Sequence, residues 1–214
     1  MRMCQEVRMK IVAVERLIDA GKFSTTKKWK AIEHHITQAI MAVQWPPGSG
    51  SFTLFDERGK ERGKGNGVKP IKQACVQYLK SLGWGLETKL DVATVKNPGR
   101  VDATLSLGDR LFAFEWETGN ISSSHRAMNK MALGILKKIL VGGVLVVPTR
   151  IMYEYLTDRV GNFAELEPYF PLWRSLKVDE GLLAIIAIEH DRVSRDVPRA
   201  FRAQLQTPEG GSMP

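Results

Sequence analysis

Two glutamates one residue apart are the first candidates for chemistry in this chain. The segment FEWETGNISSSHR runs from Phe114 to Arg126 and carries Glu115 and Glu117 at the end of an apolar run. Side chains alternate between the two faces of a strand, so both carboxylates would project to the same side. Two carboxylates held this close resist double ionisation unless a cation lies between them. Oxygen ligands favour a hard divalent ion, and Mg²⁺ is the cofactor we expect.

A third acid, Asp102, lies on the strand that precedes the two glutamates. RVDATLSL alternates apolar and polar residues, and RLFAFEWE follows after the turn signal GDR, so the segment predicts two hairpin-like strands. If Asp102 faces the same pocket, it and Glu115 can ligate a metal ion while Glu117 orients or deprotonates a water molecule. Glu87, just upstream in LETKLD, can supply a further ligand. The alternative is that these acids are simply solvated at the rim of a sheet.

The charge of the chain favours a polyanionic partner. Lys and Arg number 31 against 23 Asp and Glu, which leaves a net charge of +8 and a pI near 9.6. Neutralisation of phosphates is a common reason for such a surplus. An evenly basic surface without a partner is the alternative that charge alone leaves open.

Length and composition predict one domain over residues 1–214. A chain of 214 residues, of which 43% are hydrophobic, can bury a sizeable core. From residue 191 the sequence DRVSRDVPRAFRAQLQTPEGGSMP loses apolar periodicity and gains arginine. We therefore predict a basic, flexible C-terminal tail over residues 191–214.

No targeting or membrane segment is evident in the sequence. The N-terminal segment has no apolar core of signal-peptide length, because charges interrupt it, and no stretch is long enough to span a bilayer. The two cysteines, Cys4 and Cys75, form neither a disulfide framework nor a metal-binding spacing. We expect a cytoplasmic protein that does not bind membranes.

The order of the predicted elements indicates an α/β fold. Apolar spacing predicts helices in VRMKIVAVERLIDA, KWKAIEHHITQAIMAV and KPIKQACVQYLKSLGW, and a further helix after Asn120. GGVLVVP and GLLAIIAIEH are typical of buried strands, with short helices between them in RIMYEYL and NFAELEPYF. This order predicts a mixed central sheet flanked by helices on both faces.

Longer motifs connect these acids to a known family. The order P-x-x-x-D at Pro98 to Asp102, then E-x-E at Glu115 to Glu117, resembles the nuclease core of type II restriction endonucleases, with glutamate where most of them carry lysine. The runs FEWETGNISSSHRAMNK, YLTDRV-x-NF-x-ELEPYF and NGVKPIK are similar to the BamHI-type restriction endonucleases. The resemblance implies a restriction-endonuclease-like fold with a PD-(D/E)xK-type core.

The resemblance also implies roles for individual residues. Asp102, Glu115 and Glu87 would ligate the metal together with the Trp116 carbonyl, and Glu117 would be the base that positions the water. A second group of residues would contact DNA, namely Asn120, Ser122, Arg126, Asp158, Arg159, Lys72 and Lys130.

The chemistry of the DNA-contacting set suits base edges. Arginine can bond O6 and N7 of guanine, asparagine and serine can meet donor or acceptor edges, and aspartate can accept from cytosine N4. Simpler roles remain open for some of them. Asn120 and Ser122 can be turn and helix-cap residues, Asp158 can cap the segment that follows it, and Arg159 can pair with Glu165.

The activity implied by the resemblance is that of a Mg²⁺-dependent, homodimeric endonuclease acting on double-stranded DNA. The implied target is the palindrome GGATCC, cut after the first G to leave four-base 5′ overhangs, with a companion methyltransferase that is not a bound partner. The Met-rich helix from Ser123 to Lys138 is the expected dimer element. The alternatives are a structure-specific or repair nuclease, or a non-catalytic DNA-binding protein.

Overall fold

A computed structural model describes residues 8–59, 61, 63–92, 99–157 and 160–200. The strands are β1 Lys10–Ala20, β2 Thr53–Phe55, β3 Gly85–Lys89, β4 Arg100–Leu107, β5 Arg110–Trp116, β6 Leu140–Pro148, β7 Gly181–Glu189 and β8 Arg192–Ser194. The α-helices are α1 Lys27–Met41, α2 Val68–Ser81, α3 Ile121–Leu136, α4 Arg150–Tyr153, α5 Phe163–Leu166 and α6 Phe170–Arg174. Short 3₁₀ helices occupy Phe23–Thr25 and Glu167–Tyr169.

A six-stranded mixed sheet is the centre of the fold. Its strand order is β1-β7-β6-β5-β4-β3, with β5, β6 and β7 mutually parallel and the other neighbours antiparallel. Helices α1 and α2 bury their apolar residues on one face, and α3, α5 and α6 bury theirs on the other. The predicted fold class, a mixed sheet with helices on both faces, is confirmed.

The hairpin of β4 and β5 delivers the candidate acids. Gly108 has φ of +79° in the turn, a conformation that costs glycine little and other residues more. The register pairs Ala103 with Phe114, so Asp102 and Glu115 follow as the next residues along the two strands. The predicted strand pair is therefore confirmed, and all three acids lie at one end of the sheet.

Helix α3 packs directly over this part of the sheet. Asn120 caps it, and its buried side includes Met128, Met131 and Ile135. A side chain at Gly143 on β6 would collide with Met131, so glycine there allows the close approach. Met128 and Met131 are fully buried within this chain, so these two side chains are not available to a second chain, and the role of the helix as the dimer element stays a prediction.

The N-terminal segment is a strand, which corrects the predicted helix. β1 pairs antiparallel with β7 at the edge of the sheet, and the register shifts twice, between Ile11 and Ala13 and between Arg16 and Ile18. Burial nevertheless alternates from Lys10 to Leu17, as expected of a strand, while Val12 and Val14 are apolar although they are exposed. These exposed valines give the segment an apolar spacing that imitates a helix, and pairing with the buried strand β7 decides the structure.

The first ten residues of the predicted tail belong to the fold. β8 pairs parallel with β2, and the Trp45 indole donates to the Pro198 carbonyl at 2.7 Å. The buried Asn66 accepts from the Ala200 amide at 3.3 Å, and the Gly67 amide donates to the Ala200 carbonyl at 2.7 Å. A flexible tail beginning at residue 191 is therefore wrong for residues 191–200. Residues 201–214 lie outside the described residues.

No helix in the described part of the chain is long and apolar enough to cross a membrane.

Candidate active site

The structure brings Asp102, Glu115 and Glu117 to one cavity of about 270 Å³. The ends of β4 and β5 form one side, and the first turns of α3 form the other. The lining residues are Lys72, Gly99, Arg100, Asp102, Glu115, Trp116, Glu117, Thr118, Gly119, Ser123, Arg126, Ala127, Lys130 and Leu145.

Where β4 and β5 separate, the carboxylates of Asp102 and Glu115 accept hydrogen bonds from backbone amides of the opposite strand. Beyond the last backbone pair, the Trp116 amide donates to Asp102 Oδ2 at 2.8 Å. In return, the Asp102 amide donates to Glu115 Oε2 at 3.2 Å. Each acid is thus fixed by the backbone of the opposite strand. Hydrogen bonds of this kind order the two carboxylates without the help of a ligand.

Two lysines balance the charge of these acids. Lys72 on α2 pairs with Asp102 Oδ1 at 2.6 Å, and Lys130 on α3 lies 3.8 Å from Glu115 Oε1. Lys130 also donates to the Arg100 carbonyl at 3.0 Å. One lysine comes from each face of the sheet, so the site is positively charged on both sides of the acid pair.

Glu115 is the most perturbed acid of the cavity. Burial raises the pKa of Glu115 from its ordinary 4.5 to about 8, and the neighbouring charge of Asp102 adds to the rise. Lys130 and Lys72 and the hydrogen bond from the Asp102 amide oppose it. Without a bound cation, the environment of this carboxyl therefore favours its protonated form.

Glu117 lies on the same face and has its own hydrogen-bond partners. It is 5% exposed, its Oε1 accepts from the Gly119 amide at 2.5 Å, and its Oε2 accepts from the Ser124 hydroxyl. Burial raises the pKa of Glu117, while the hydrogen bonds from Ser124 and from the Gly119 and Thr118 amides oppose the rise. A buried carboxylate with an elevated pKa is suited to accepting a proton.

The donors available to a metal are oxygen atoms. Asp102 and Glu115 present carboxylates, and Trp116 lines the cavity with its backbone because its side chain is buried on the opposite face of the sheet. Among the described residues no cluster of three or more His, Cys, Asp or Glu side chains is arranged to hold a metal. Two carboxylates and a carbonyl nevertheless fit a hard ion such as Mg²⁺, which fills its remaining positions with water and phosphate oxygens.

Glu87 is not brought to these acids. It lies exposed on β3 with φ of +50°, and its carbonyl accepts from Arg100 Nη1 at 3.1 Å. It is absent from the described residues that line the cavity. Its assignment as a ligand stays a prediction, and we omit it from the proposal below.

The residues predicted to contact DNA fall in two neighbouring places. Arg126, Lys72 and Lys130 line the acid cavity, whereas Asn120 and Ser122 line a second cavity of about 640 Å³. Asn120 is also the N-cap of α3, since its Oδ1 accepts from the Ser123 amide at 3.3 Å. Because the cap uses only Oδ1, the side-chain nitrogen Nδ2 of Asn120 can donate to another group. Asp158 and Arg159 lie outside the described residues.

Two residues near the site were not predicted from the sequence. Ser124 has no predicted role in the site, yet it lies on the buried side of α3 and its hydroxyl donates to Glu117. The available signal was its helical spacing with Met128 and Met131, because a polar residue in an apolar stripe needs a hydrogen-bond partner. Arg150 lines the second cavity beside Tyr153, with 4.7 Å between its guanidinium and the ring centroid.

Comparison with known proteins gives close relatives. The family model described as restriction endonuclease BamHI matches residues 9–206. The type II restriction enzyme OkrAI of Oceanobacter kriegii is 49% identical over 189 residues, which cover 88% of this chain and 93% of OkrAI. The type II restriction enzyme BamHI of Bacillus amyloliquefaciens is 36% identical over 170 residues, which cover 75% of this chain and 78% of BamHI.

A solved structure shares the fold. The crystal structure of restriction endonuclease BglII complexed with a DNA 16-mer matches with a TM-score of 0.54, covering 85% of this chain and 79% of that chain. The sequence identity is 11%, so this likeness shows the fold alone.

The mixed sheet with three acids at the end of its central hairpin, together with these relatives, defines a nuclease of the type II restriction endonuclease class. Within that class, the chain belongs to the BamHI restriction endonuclease family. The family resemblance read from the sequence is thereby confirmed.

Proposed function

We propose that this protein cuts double-stranded DNA at GGATCC, after the first G, leaving four-base 5′ overhangs in a Mg²⁺-dependent reaction. The observation that carries the proposal is the cavity in which Asp102, Glu115 and Glu117 meet beside Lys72 and Lys130. The choice of GGATCC rests on the sequence resemblance to BamHI-type enzymes described above.

The site supports a division of labour among the acids. Asp102 and Glu115, each fixed by a backbone amide of the opposite strand, would hold the metal with the Trp116 carbonyl. When bound, Mg²⁺ would polarise the phosphoryl oxygen and stabilise the leaving oxyanion. Glu117 makes no ion pair in the described structure and is thus suited to hold a water molecule.

The reaction is hydrolysis of one phosphodiester bond in each strand. A water held by Glu117 attacks phosphorus, its proton passes to the Glu117 carboxylate, and the bond from phosphorus to the leaving oxygen breaks. Lys72 and Lys130 line the cavity, and their ammonium groups can neutralise the charge of a phosphate once the acids bind the metal. The net charge of +8 favours association with DNA in the same way.

A palindromic target favours two identical chains. A two-fold axis would place one catalytic centre on each strand of GGATCC, so we propose a homodimer on DNA. The host DNA would need protection at the same sequence, and we propose that a companion methyltransferase supplies it without binding this protein.

Two other functions are consistent with parts of the site. A structure-specific or repair nuclease would use the same acids but would not need Asn120, Ser122 and Arg126 beside them. A non-catalytic DNA-binding protein would tolerate loss of an acid, whereas all three of Asp102, Glu115 and Glu117 are present in the cavity.

Incubation of a plasmid carrying one GGATCC site with the protein and Mg²⁺ tests the proposal. We expect a single linear product, sequenced ends that begin 5′-GATC, and an uncut control plasmid whose site is changed by one base. Cleavage at branched or damaged DNA alone would favour the repair nuclease. Specific binding without cleavage would favour the non-catalytic protein.

A further inference from the structure

We propose that Ser124 is a positioning residue that holds the Glu117 carboxylate in the orientation needed to bind the attacking water. This inference rests on the proposed function, because it assigns a role in the same cleavage reaction. Ser124 itself is 0% exposed and is not among the described residues that line the acid cavity. It can therefore act on DNA only through a neighbour, and Glu117 is the acid that it contacts.

Three donors restrain the Glu117 carboxylate, and one of them is the Thr118 amide. The Ser124 hydroxyl donates to Oε2, and the Gly119 amide donates to Oε1 at 2.5 Å. A glutamate side chain without such bonds samples several rotamers, and ordering it costs conformational entropy. A carboxylate has about four lone-pair positions, so three donors leave one for a water molecule. The arrangement restrains the acid without blocking it.

The hydroxyl of Ser124 is itself held in place. Gly161 packs against it so closely that any side chain at position 161 would overlap the Ser124 oxygen. The Gly161 amide also donates to the Gly119 carbonyl at 2.9 Å. Gly119 is thus bonded to Glu117 through its amide and to Gly161 through its carbonyl. In the described structure the Ser124 hydroxyl, packed against Gly161, donates to Glu117.

These hydrogen bonds also tie Glu117 to the start of α3. Ser124 lies between Ser122 and Arg126, which are predicted to contact DNA, and one turn beyond the cap residue Asn120. Loss of the Ser124 hydroxyl would free Glu117 from this helix without removing any group that faces DNA. Catalysis and binding should therefore respond differently to the substitution.

Ser124→Ala tests the inference by separating the cleavage step from DNA binding. Single-turnover cleavage of a GGATCC duplex with Mg²⁺ should slow by about 10- to 100-fold, the scale on which small misplacements of a catalytic group act. Affinity for the same duplex, measured with Ca²⁺, should stay within about twofold because the DNA-facing residues are unchanged. Ser51→Ala is the matched control, since Ser51 is a buried serine that bonds Thr53 and not an acid of the cavity.

A double-mutant cycle with Glu117→Ala shows whether Ser124 acts through that acid. If it does, adding Ser124→Ala to Glu117→Ala should not slow the residual cleavage further. The added substitution should also lower the free energy of unfolding by less than Ser124→Ala does in the wild-type protein. The unfolding measurement is made without metal, so it reports the contact independently of activity.

Three results would overturn the inference: wild-type cleavage by Ser124→Ala, a loss of cleavage matched by an equal loss of affinity, or effects that add fully to those of Glu117→Ala. Failure of the wild-type protein to cut any DNA would instead reject the proposed function, and the unfolding cycle would still report on the contact.

Discussion

Glu117→Ala is expected to bind its DNA site normally and to cleave it about 10²- to 10⁴-fold more slowly, the usual contribution of a positioned general base. Binding should persist because Asp102 and Glu115 keep their backbone hydrogen bonds and the lysines keep their places. Cleavage should slow because the other described carboxylates in the cavity, Asp102 and Glu115, are each paired with a lysine and are each assigned to the metal.

Gel-shift and cleavage assays on the same preparations separate these effects, first with Mg²⁺ and then with Ca²⁺. Ca²⁺ is larger and more flexibly coordinated, so in the unaltered protein it should support binding without efficient cleavage. Asp102→Ala should differ, because losing a ligand weakens metal occupancy as well as cleavage. Glu167→Ala, at an exposed glutamate outside both cavities, is the control. Substantial cleavage by Glu117→Ala would transfer the role of base to a water activated by the metal alone.

The acid cavity was predictable because its parts are local in the sequence. Glu115 and Glu117 alternate on one strand, and the hairpin that carries them is closed by a short glycine turn, so their common face follows from the period of a strand. Asp102 follows from the register of the same hairpin. Its pairing with Lys72 does not, because α2 reaches it from a distant part of the chain across the other face of the sheet.

The features that sequence reasoning missed depend on tertiary pairing. The sequence of β1 is typical of a helix until its pairing with β7 is known, and that of residues 191–200 is typical of a tail until β8 pairs with β2. The sequence alone does not distinguish Ser124 from the serines beside it near the start of the helix. Its contact with Glu117 appears only when α3 is placed over the sheet, at a distance that Gly161 and Gly143 permit.

Glu115→Gln is expected to lose cleavage by more than about 100-fold and, at the same time, to make the metal-free protein more stable at high pH. The loss follows from removing a charged metal ligand, since even outer-shell partners of such ligands are worth about 10- to 100-fold. The gain follows from the raised pKa. The unfolded chain ionises this carboxyl near 4.5, whereas burial and Asp102 keep it protonated in the fold up to about 8.

The sign of the pH dependence follows from proton linkage. Between pH 4.5 and 8 the folded state holds a proton at Glu115 that the unfolded state has lost. The free energy of unfolding therefore falls as the pH rises through this range, and the loss levels off above the folded pKa. Glutamine resembles the protonated form and has no such cost. The stability difference between variant and wild type should therefore widen from pH 5 to pH 8.

Denaturant unfolding in EDTA at pH 5, 6.5 and 8 measures this difference, with Glu167→Gln as the exposed control. Ca²⁺ titration calorimetry on the same variants reports the metal affinity, which should fall for Glu115→Gln and not for the control. A stability difference that stays constant with pH would mean that Glu115 is already ionised in the fold, balanced by Lys130 and Lys72. Retained Ca²⁺ affinity would remove Glu115 from the ligand set. If both expectations hold, the buried carboxyl that prepares the cavity for a cation also destabilises the empty protein, and the bound metal offsets that cost.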